Sequence, residues 1–231
     1  MNRIVMITGS TRGIGFSTAA EFLKNGNRVA IFCRHKEHVT KALRYLAGLG
    51  ERQNIFGLVG DVRRARDVKR IVAQCLKHFG RIDILINNAG IAAYKEIEET
   101  SEKDWNDILD TNLKGCFLFM RQVIPVMKKQ GKGIIINISS GLGVSGEAKF
   151  SAYCASKFGV IGLTQSVADE MAGTGLWVYA VLPGAVNTKL ISDIGLEMDP
   201  SERLAPEYVA KKIFKLAEGR RKSGQSVTVY S

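Results

Sequence analysis

Short apolar runs alternate with amphipathic stretches along nearly the whole chain. Each run has the length of a β-strand and is almost continuous in Val, Ile, Leu and Phe, which is typical of strands covered on both faces. The stretches between the runs space their apolar residues as an α-helix does. The predicted strands cover residues 3–8, 28–33, 55–59, 82–87, 133–139, 176–182 and 226–230, and the predicted helices lie near 14–25, 36–49, 66–79, 103–130, 152–173 and 206–218.

Strict alternation of strands and helices predicts an α/β fold with a parallel sheet. Because right-handed crossovers place helices on both faces of such a sheet, we expect a doubly wound, seven-stranded Rossmann fold. A chain of 231 residues can bury one sizeable core, so residues 1–231 are predicted to form a single domain. Ligands of such folds bind at the carboxyl ends of the strands.

A formal net charge of +11 raises the question of nucleic-acid binding. The basic clusters at 63–66 and 220–222 are short and separated, and they lack interleaved aromatic residues. This pattern favours a solvated surface, or the steering of anionic ligands such as a phosphorylated cofactor. We therefore expect no nucleic-acid partner.

The four cysteines indicate reduced thiols in a cytoplasmic protein. Cys33, Cys75, Cys116 and Cys154 form no CxxC pair, so neither a zinc site nor a disulfide redox motif is expected, and no metal is predicted. The N-terminal apolar run meets glycines too early for a signal peptide, and the longest apolar stretches are too short to span a bilayer. We expect no membrane association.

A glycine-rich turn follows the first predicted strand and leads into the first helix. Glycines let a backbone take positive φ and approach a phosphate, while a helix N-terminus offers free N–H groups. By itself the turn could be a plain loop at a helix start. The residues predicted to bind a cofactor here are Gly9, Ser10, Thr11, Arg12, Gly13, Ile14 and Gly15.

Tyr153 and Lys157 suggest proton chemistry at a second position. They are four residues apart on a predicted helix, which places both side chains on one face, and a nearby ammonium group favours the phenolate. Tyr-x-x-x-Lys is common, and most instances are an ordinary tyrosine and a surface lysine. Here the pair begins the helix after the fifth strand, which ends in Ser139-Ser140 on the cleft side of the sheet.

Together these motifs closely resemble the short-chain dehydrogenase/reductase family, from Ile4 to about Thr188. The further matching segments are 61–62, 87–90, Asn112, 139–140, 153–157 and 183–188. Overall the sequence is similar to 3-oxoacyl-acyl-carrier-protein reductases.

The resemblance implies a role for each of four residues in catalysis. Tyr153 is the acid/base, Lys157 tunes its pKa and contacts the cofactor ribose, and Ser140 orients the substrate oxygen. Asn112 holds a water that links Lys157 to solvent. The alternatives are that Ser140 caps a strand end and that Asn112 is a solvent-exposed residue within the long fourth helix.

The resemblance also assigns cofactor contacts. Asp61, with Val62, is assigned to the adenine, although an aspartate there could simply cap a turn. The strand-end segment could likewise be a plain turn. Asn88 and Gly90 are assigned to the centre of the dinucleotide, and Val186 and Thr188 to the nicotinamide amide. The other residues predicted to bind the cofactor are Ala89, Tyr153, Lys157, Pro183 and Gly184.

The choice between NAD and NADP depends on charge. An NAD site presents a carboxylate at the end of the second strand, and Cys33 occupies that position here. Arg34 follows it and Arg12 lies in the glycine turn, so two guanidinium groups could converge on a 2′-phosphate. Each arginine alone could be a surface charge, but together they favour NADP(H) as cofactor.

The predicted function is reduction of a ketone or aldehyde to an alcohol with NADP(H), of the 3-oxoacyl or general carbonyl type. The alternatives are an NAD(P)-dependent sugar or secondary-alcohol dehydrogenase and a non-catalytic NADP-sensing protein. Lys128, Lys129 and Lys132 could meet an acidic carrier protein, although Thr174 stands where such reductases often have a basic residue.

The segment 189–205 is short for a substrate lid. Its apolar residues Leu190, Ile191, Ile194 and Leu196 could face a ligand or pack as an ordinary helix does. A homodimer or homotetramer is expected, paired through the fourth and fifth helices, and the missing Asp-Gly-Gly ending puts the tetramer in doubt.

Overall fold

A computed structural model describes residues 2–197, 199–219 and 222–230. Apolar runs form seven strands and the amphipathic stretches form helices between them. The strands are β1 (Ile4–Thr8), β2 (Arg28–Cys33), β3 (Ile55–Val59), β4 (Ile84–Asn87), β5 (Gly133–Ile138), β6 (Leu176–Pro183) and β7 (Ser226–Val229). The helices are α1 (Gly13–Lys24), α2 (Lys36–Leu46), α3 (Ala65–Phe79), α4 (Glu102–Leu109), α5 (Gly115–Gln130), α6 (Ser151–Glu170), α7 (Lys189–Asp193) and α8 (Pro206–Glu218).

All seven strands pair in parallel in the order β3-β2-β1-β4-β5-β6-β7. The order reverses between β1 and β4, so the carboxyl ends of these two strands flank the crevice where doubly wound folds bind ligands. The predicted fold class is confirmed.

Residues of each strand point alternately into two apolar layers, which explains why the runs are continuously apolar. In β1, Ile4 and Met6 belong to one layer, and Val5 and Ile7 belong to the other. Helices α3, α5 and α6 cover the first layer, and α1, α2 and α8 cover the second. The helices therefore lie on both faces of the sheet.

The long fourth helix predicted at 103–130 is wrong in one respect. The chain forms α4, then a π-helical turn at Asp110–Lys114, and then α5. Asn112 lies in that turn and is 1% exposed, so it is neither in a regular helix nor on the surface. Single π-turns inside helices are frequent at functional sites.

Two further sequence features have a limited structural account. Arg220 and Arg221 of the basic cluster lie outside the described residues, as do Met1 and Ser231 of the predicted domain. Among the helices that the structure describes, none has the length and apolar character needed to cross a membrane.

Candidate active site

A cleft of about 600 Å³ opens at the carboxyl ends of the strands. It runs from the glycine turn and the end of β2 to the first turn of α6 and the segment that contains α7. The predicted site residues that line it are Gly9, Thr11, Arg12, Gly13, Ile14, Arg34, Asp61, Val62, Asn88, Ala89, Gly90, Ser140, Tyr153, Lys157, Pro183, Gly184, Val186 and Thr188.

Ser10 and Gly15 do not line the cleft, although the sequence placed them with the cofactor contacts. The buried Ser10 hydroxyl donates to the Ile7 carbonyl at 2.8 Å and accepts from the Phe32 amide at 2.9 Å. A Cβ on Gly15 would lie 2.4 Å from Asn88 Nδ2. Both residues therefore support the fold of the turn without lining the cleft.

The glycine turn requires backbone conformations that other residues rarely adopt. Gly9 has φ +61° and Gly13 has φ +54°. A Cβ on Gly9 would lie 2.8 Å from Ala89 Cα, and a Cβ on Gly13 would lie 3.1 Å from Thr188 Cγ2. The turn therefore packs against the loops after β4 and β6, with the N-terminus of α1 beside it.

Asn88 and Thr8 brace this turn. Thr8 Oγ1 accepts from the backbone amides of Asn88 and Ala89, both at 2.8 Å. The Asn88 side chain donates to the carbonyls of Thr8 at 2.9 Å and Gly9 at 3.1 Å. The two strand ends at the crevice are thus joined by buried hydrogen bonds.

The end of the cleft beside β2 and the glycine turn is basic. No carboxylate ends β2, because Cys33 stands there and its thiol donates to the His35 carbonyl at 3.3 Å. Arg34 is exposed, and Arg12 is 3.5 Å from Asp193 at the end of α7. Both arginines line the same cleft.

Asp61 combines a turn-capping role with a place in the cleft wall. Its carboxylate accepts from the Arg63 backbone amide at 3.0 Å and pairs with the Arg63 guanidinium at 2.7 Å. Burial acts to raise the pKa of Asp61, but the hydrogen bonds and charge of Arg63, with a smaller effect of Arg34, lower it overall. Asp61 is therefore ionised at neutral pH.

Helix α6 is fixed to the sheet by buried polar contacts. Asn87 donates to Asn137 Oδ1 at 2.8 Å, and Asn137 donates to Thr164 Oγ1 on α6 at 2.9 Å. Ser139 Oγ donates to the Lys157 carbonyl at 2.9 Å. These bonds hold the start of α6 at the end of β5.

Tyr153 and Lys157 lie together at this point, and both are buried. Lys157 Nζ is 5.5 Å from the centre of the Tyr153 ring and donates to the Ile138 carbonyl at 2.8 Å. Ser140 hydrogen-bonds Tyr153, and its hydroxyl also accepts from the Leu142 amide at 3.1 Å. Ser140 thus caps the next turn and also faces the phenol.

Burial decides the pKa of each member of this pair. It raises the pKa of Tyr153 to about 12, although the hydrogen bond with Ser140 acts in the opposite direction. It lowers the pKa of Lys157 to about 8. Burial and Ser140 dominate the pKa of Tyr153 here, and the effect of Lys157 on the phenolate stays a prediction.

The Asn112 amide makes three hydrogen bonds within the protein. Its Oδ1 accepts from the Ile91 amide at 2.9 Å, and its Nδ2 donates to the Ile91 carbonyl and to Ser156 Oγ, both at 2.9 Å. A Cβ on Gly90 would lie 3.4 Å from Asn112 Oδ1 and 3.6 Å from Lys157 Nζ. Asn112 lies outside the cleft lining, and its amide oxygen and the ammonium group both border the space beside Gly90.

An apolar wall surrounds the tyrosine. Phe150 and Cys154 are buried with Tyr153, and the lid residues Leu190, Ile194 and Leu196 pack against them. The same three lid residues line the cleft, as does Ile191. These lid residues therefore pack against the tyrosine cluster and also line the cleft.

Sequence reasoning missed several residues that line the cleft. Phe150 lies three residues before Tyr153, and helical spacing could have indicated it. His35 and His38 belong to no recognisable motif. Tyr230 reaches the cleft because β7 pairs with β6, which no local sequence signal indicates. Among the described residues, no group of three His, Cys, Asp or Glu side chains could hold a metal ion.

Known proteins are similar to this chain in sequence and in fold over nearly its full length. The 3-oxoacyl-(acyl-carrier-protein) reductase FabG of Staphylococcus epidermidis is 33% identical over 240 aligned positions, which cover 99% of this chain and 98% of that protein. The structure titled ElxO with NADP bound is 34% identical, with a TM-score of 0.90 over 99% of this chain and 97% of its own.

A 3-ketoacyl-(acyl-carrier-protein) reductase from Brucella melitensis, solved in complex with NADH, is 26% identical. It superposes with a TM-score of 0.92 over 99% of this chain and 96% of its own. The family model described as short chain dehydrogenase matches residues 3–199. The chain therefore belongs to the short-chain dehydrogenase family.

Proposed function

We propose that this protein is an NADP(H)-dependent reductase of apolar ketones or aldehydes. The observation that carries the proposal is the grouping of Tyr153, Ser140 and Lys157 at one end of a cleft whose other end is a glycine turn. Membership of an oxidoreductase family supports the reaction class.

The cleft fits a dinucleotide. At Gly9 and Gly13 a side chain would collide with neighbouring loops, so both positions need glycine, and the turn that they form lines the cleft and leads into the N-terminus of α1. Free N–H groups and the positive end of a helix suit a pyrophosphate. Residues 183–188 reach the same cleft from the end of β6, where the nicotinamide would lie.

In the reduction, the bound nicotinamide supplies a hydride, and the protein must neutralise the developing charge on the carbonyl oxygen. Ser140 is placed to donate a hydrogen bond to that oxygen. Tyr153 is a neutral phenol at pH 7, because its pKa is raised to about 12, and it transfers its proton to the oxygen. Lys157 would hold the ribose of the bound cofactor, and its ammonium group would favour the phenolate that results.

Asn112 acts as a positioning residue in this proposal. Its three hydrogen bonds connect the π-turn with Ile91 and with Ser156 on α6, one residue before Lys157. A water held near its amide oxygen would connect Lys157 to solvent. The family resemblance supports that relay.

Charge at the end of β2 supports NADP over NAD. Cys33 stands where a carboxylate would repel the 2′-phosphate, and Arg12 and Arg34 line the cleft. Calorimetric titration with both dinucleotides tests the preference. Arg34→Ala should weaken NADP binding about 10- to 100-fold, the value of one or two charge-assisted hydrogen bonds, and leave NAD binding nearly unchanged.

Arg44→Ala is the matched control for this titration. Arg44 is also exposed and lies in the last turn of α2, away from the cleft lining. It removes the same charge without touching the proposed phosphate site. Equal weakening in both variants, or tighter binding of NAD than of NADP by the parent, would contradict the assignment.

The apolar wall indicates the substrate class. Phe150, Leu142 and Leu190 offer carbon surface around Tyr153, which suits an alkyl or aryl ketone better than a polyhydroxy sugar. A sugar would leave hydroxyl groups buried without partners there. A non-catalytic NADP sensor would have no need of a tyrosine, serine and lysine grouped at the cleft.

A panel of carbonyl compounds, followed by loss of NADPH absorbance, tests the reaction. Tyr153→Phe should lower kcat about 10²- to 10⁴-fold, because the proton donor is lost while the ring and its packing remain. Tyr94→Phe is the control, since Tyr94 packs on Phe150 but does not line the cleft. Nearly full turnover by Tyr153→Phe would refute the mechanism.

We also propose that two copies pair through α5 and α6. Phe117 on α5 and Phe158 on α6 are 44% and 46% exposed, so each of the two helices presents an aromatic ring to solvent. The shallow groove between these helices is lined by Leu113, Leu163 and Gly159. Sedimentation equilibrium at micromolar concentration should give twice the chain mass.

A further inference from the structure

We propose that Tyr230 is a specificity-determining residue that limits the size of the carbonyl substrate. The proposal rests on the proposed function, because it concerns the substrate end of the same cleft. Tyr230 follows β7 and lines the cleft, yet its side chain is 53% exposed. It is therefore open to a ligand and is no part of the packed core.

Pairing of β7 with β6 positions the Tyr230 side chain in the cleft wall. Val229 lies opposite Pro183 in the parallel register, and the Gly184 amide donates to the Val229 carbonyl at 3.0 Å. The next residue along β7 must then lie beside Gly184. A Cβ on Gly184 would be 3.0 Å from Tyr230 Cδ1, so the ring occupies the space that a side chain at 184 would need.

The hydroxyl end of the ring reaches the segment that carries Ser140. Tyr230 Oη lies 3.1 Å from the position of a Cβ on Gly141, and Cε1 lies 3.6 Å from it. Gly141 directly follows Ser140, the residue proposed to hold the substrate oxygen. The ring thus spans from the loop after β6 to the turn after β5.

Tyr230 contributes an aromatic ring to the wall of the cleft beside Gly141 and Gly184. The apolar cluster of Phe150, Leu142 and the lid residues does not include it. A substituent on the carbonyl carbon that extends past Gly141 would meet the flat phenol. Because an aromatic ring is large and has few rotatable bonds, it sets a steric limit.

Two ketones with the same reactive group and different bulk test this limit. The kcat/KM values for cyclohexanone and for 1-decalone are measured in the parent, Tyr230→Ala and Tyr230→Phe. Tyr230→Ala should raise the ratio of decalone to cyclohexanone about tenfold or more, as removal of one side-chain wall does in other pockets. Tyr230→Phe should leave the ratio unchanged, since the ring remains.

The control variant is Tyr208→Ala, which removes a similarly exposed tyrosine from α8 outside the cleft lining. It should change neither the ratio nor the affinity for NADPH. A purely structural role for Tyr230 would lower kcat/KM for both ketones by the same factor and leave the ratio at the parent value. That result would overturn the proposal.

The proposed function can fail separately from this inference. If the parent reduces neither these ketones nor any member of the carbonyl panel in the presence of NADPH, the reductase assignment fails. The ratio of the two ketones' dissociation constants, measured by calorimetry in the presence of NADP, then decides the role of Tyr230. An unchanged ratio in Tyr230→Ala would refute the steric limit in that case too.

Discussion

The two ends of the cleft are built from different interactions. At the glycine turn, buried and partly buried hydrogen bonds of Thr8, Ser10 and Asn88 tie strand ends and turn together. At the substrate end, the five-residue helix α7 is held by apolar contacts of Leu190 and Ile194 and by the ion pair between its end and Arg12. The glycine turn therefore has many hydrogen-bond partners, and helix α7 has few.

This difference has an energetic consequence. A buried N–H or C=O that loses its partner costs about 1 to 3 kcal/mol, so the turn has one favourable geometry. Apolar contacts are non-directional, so α7 can shift without leaving a polar group unpaired. The molecule therefore combines a fixed dinucleotide end with an adaptable substrate end.

The largest effect is expected from a change in the fixed end. Gly9→Ala places a side chain where φ is +61° and where a Cβ would be 2.8 Å from Ala89 Cα. The left-handed conformation alone costs about 1 to 3 kcal/mol for a residue other than glycine, and the collision adds to this. We expect a lower free energy of unfolding in urea and loss of detectable NADPH binding.

Gly26→Ala separates strain from collision. Gly26 has φ +71°, but nothing lies within 4 Å of its Cβ position. This variant should lose about 1 kcal/mol of stability and keep its affinity for NADPH. If Gly9→Ala bound NADPH as tightly as Gly26→Ala does, the close fit of the turn would be irrelevant to the cofactor.

An intermediate effect is expected from Lys157, at the junction of the two ends. Its pKa is lowered from 10.5 to about 8 by burial, so between these pH values the unfolded chain holds a proton that the folded chain has lost. Stability rises with pH wherever the unfolded state binds more protons. The unfolding free energy of the parent, relative to Lys157→Met, should therefore rise from pH 8 to about pH 10.5.

Tyr153 acts in the opposite sense in a higher pH window. Its pKa is raised from 10.0 to about 12, so its contribution is complete below pH 10 and is lost as the pH approaches 12. That loss is common to the parent and Lys157→Met and cancels in their difference. A difference that stays flat between pH 8 and 10 would show that Lys157 is not held in a desolvated site.

The smallest effect is expected at the lid. Asp193→Asn removes the partner of Arg12, but the two side chains are 46% and 52% exposed. Exposed ion pairs contribute less than about 1 kcal/mol, so the KM for NADPH should change less than about fivefold. Steady-state kinetics at low and high salt measure it, and a tenfold change would mean that α7 is held as rigidly as the glycine turn.

Local sequence signals predicted much of the fold. The apolar runs predicted the bounds of each strand to within about two residues, since strands covered on both faces are apolar throughout. The start of α4 also follows from local chemistry, because Ser101 precedes the helix and its Oγ accepts from the Asp104 amide at 3.1 Å. The π-turn around Asn112 was missed, because apolar spacing continues through it.

The sequence by itself determined the seven strands and the helices between them, the glycine turn after β1 and the spacing of Tyr153 and Lys157, because each depends on residues that are close along the chain. Only the tertiary structure decided the pKa of each of these two groups, because burial depends on elements distant in sequence. It also decided that Ser10 and Gly15 lie behind the turn and that Tyr230 reaches Gly141. These contacts arise from strand pairing across the sheet, which no local pattern encodes.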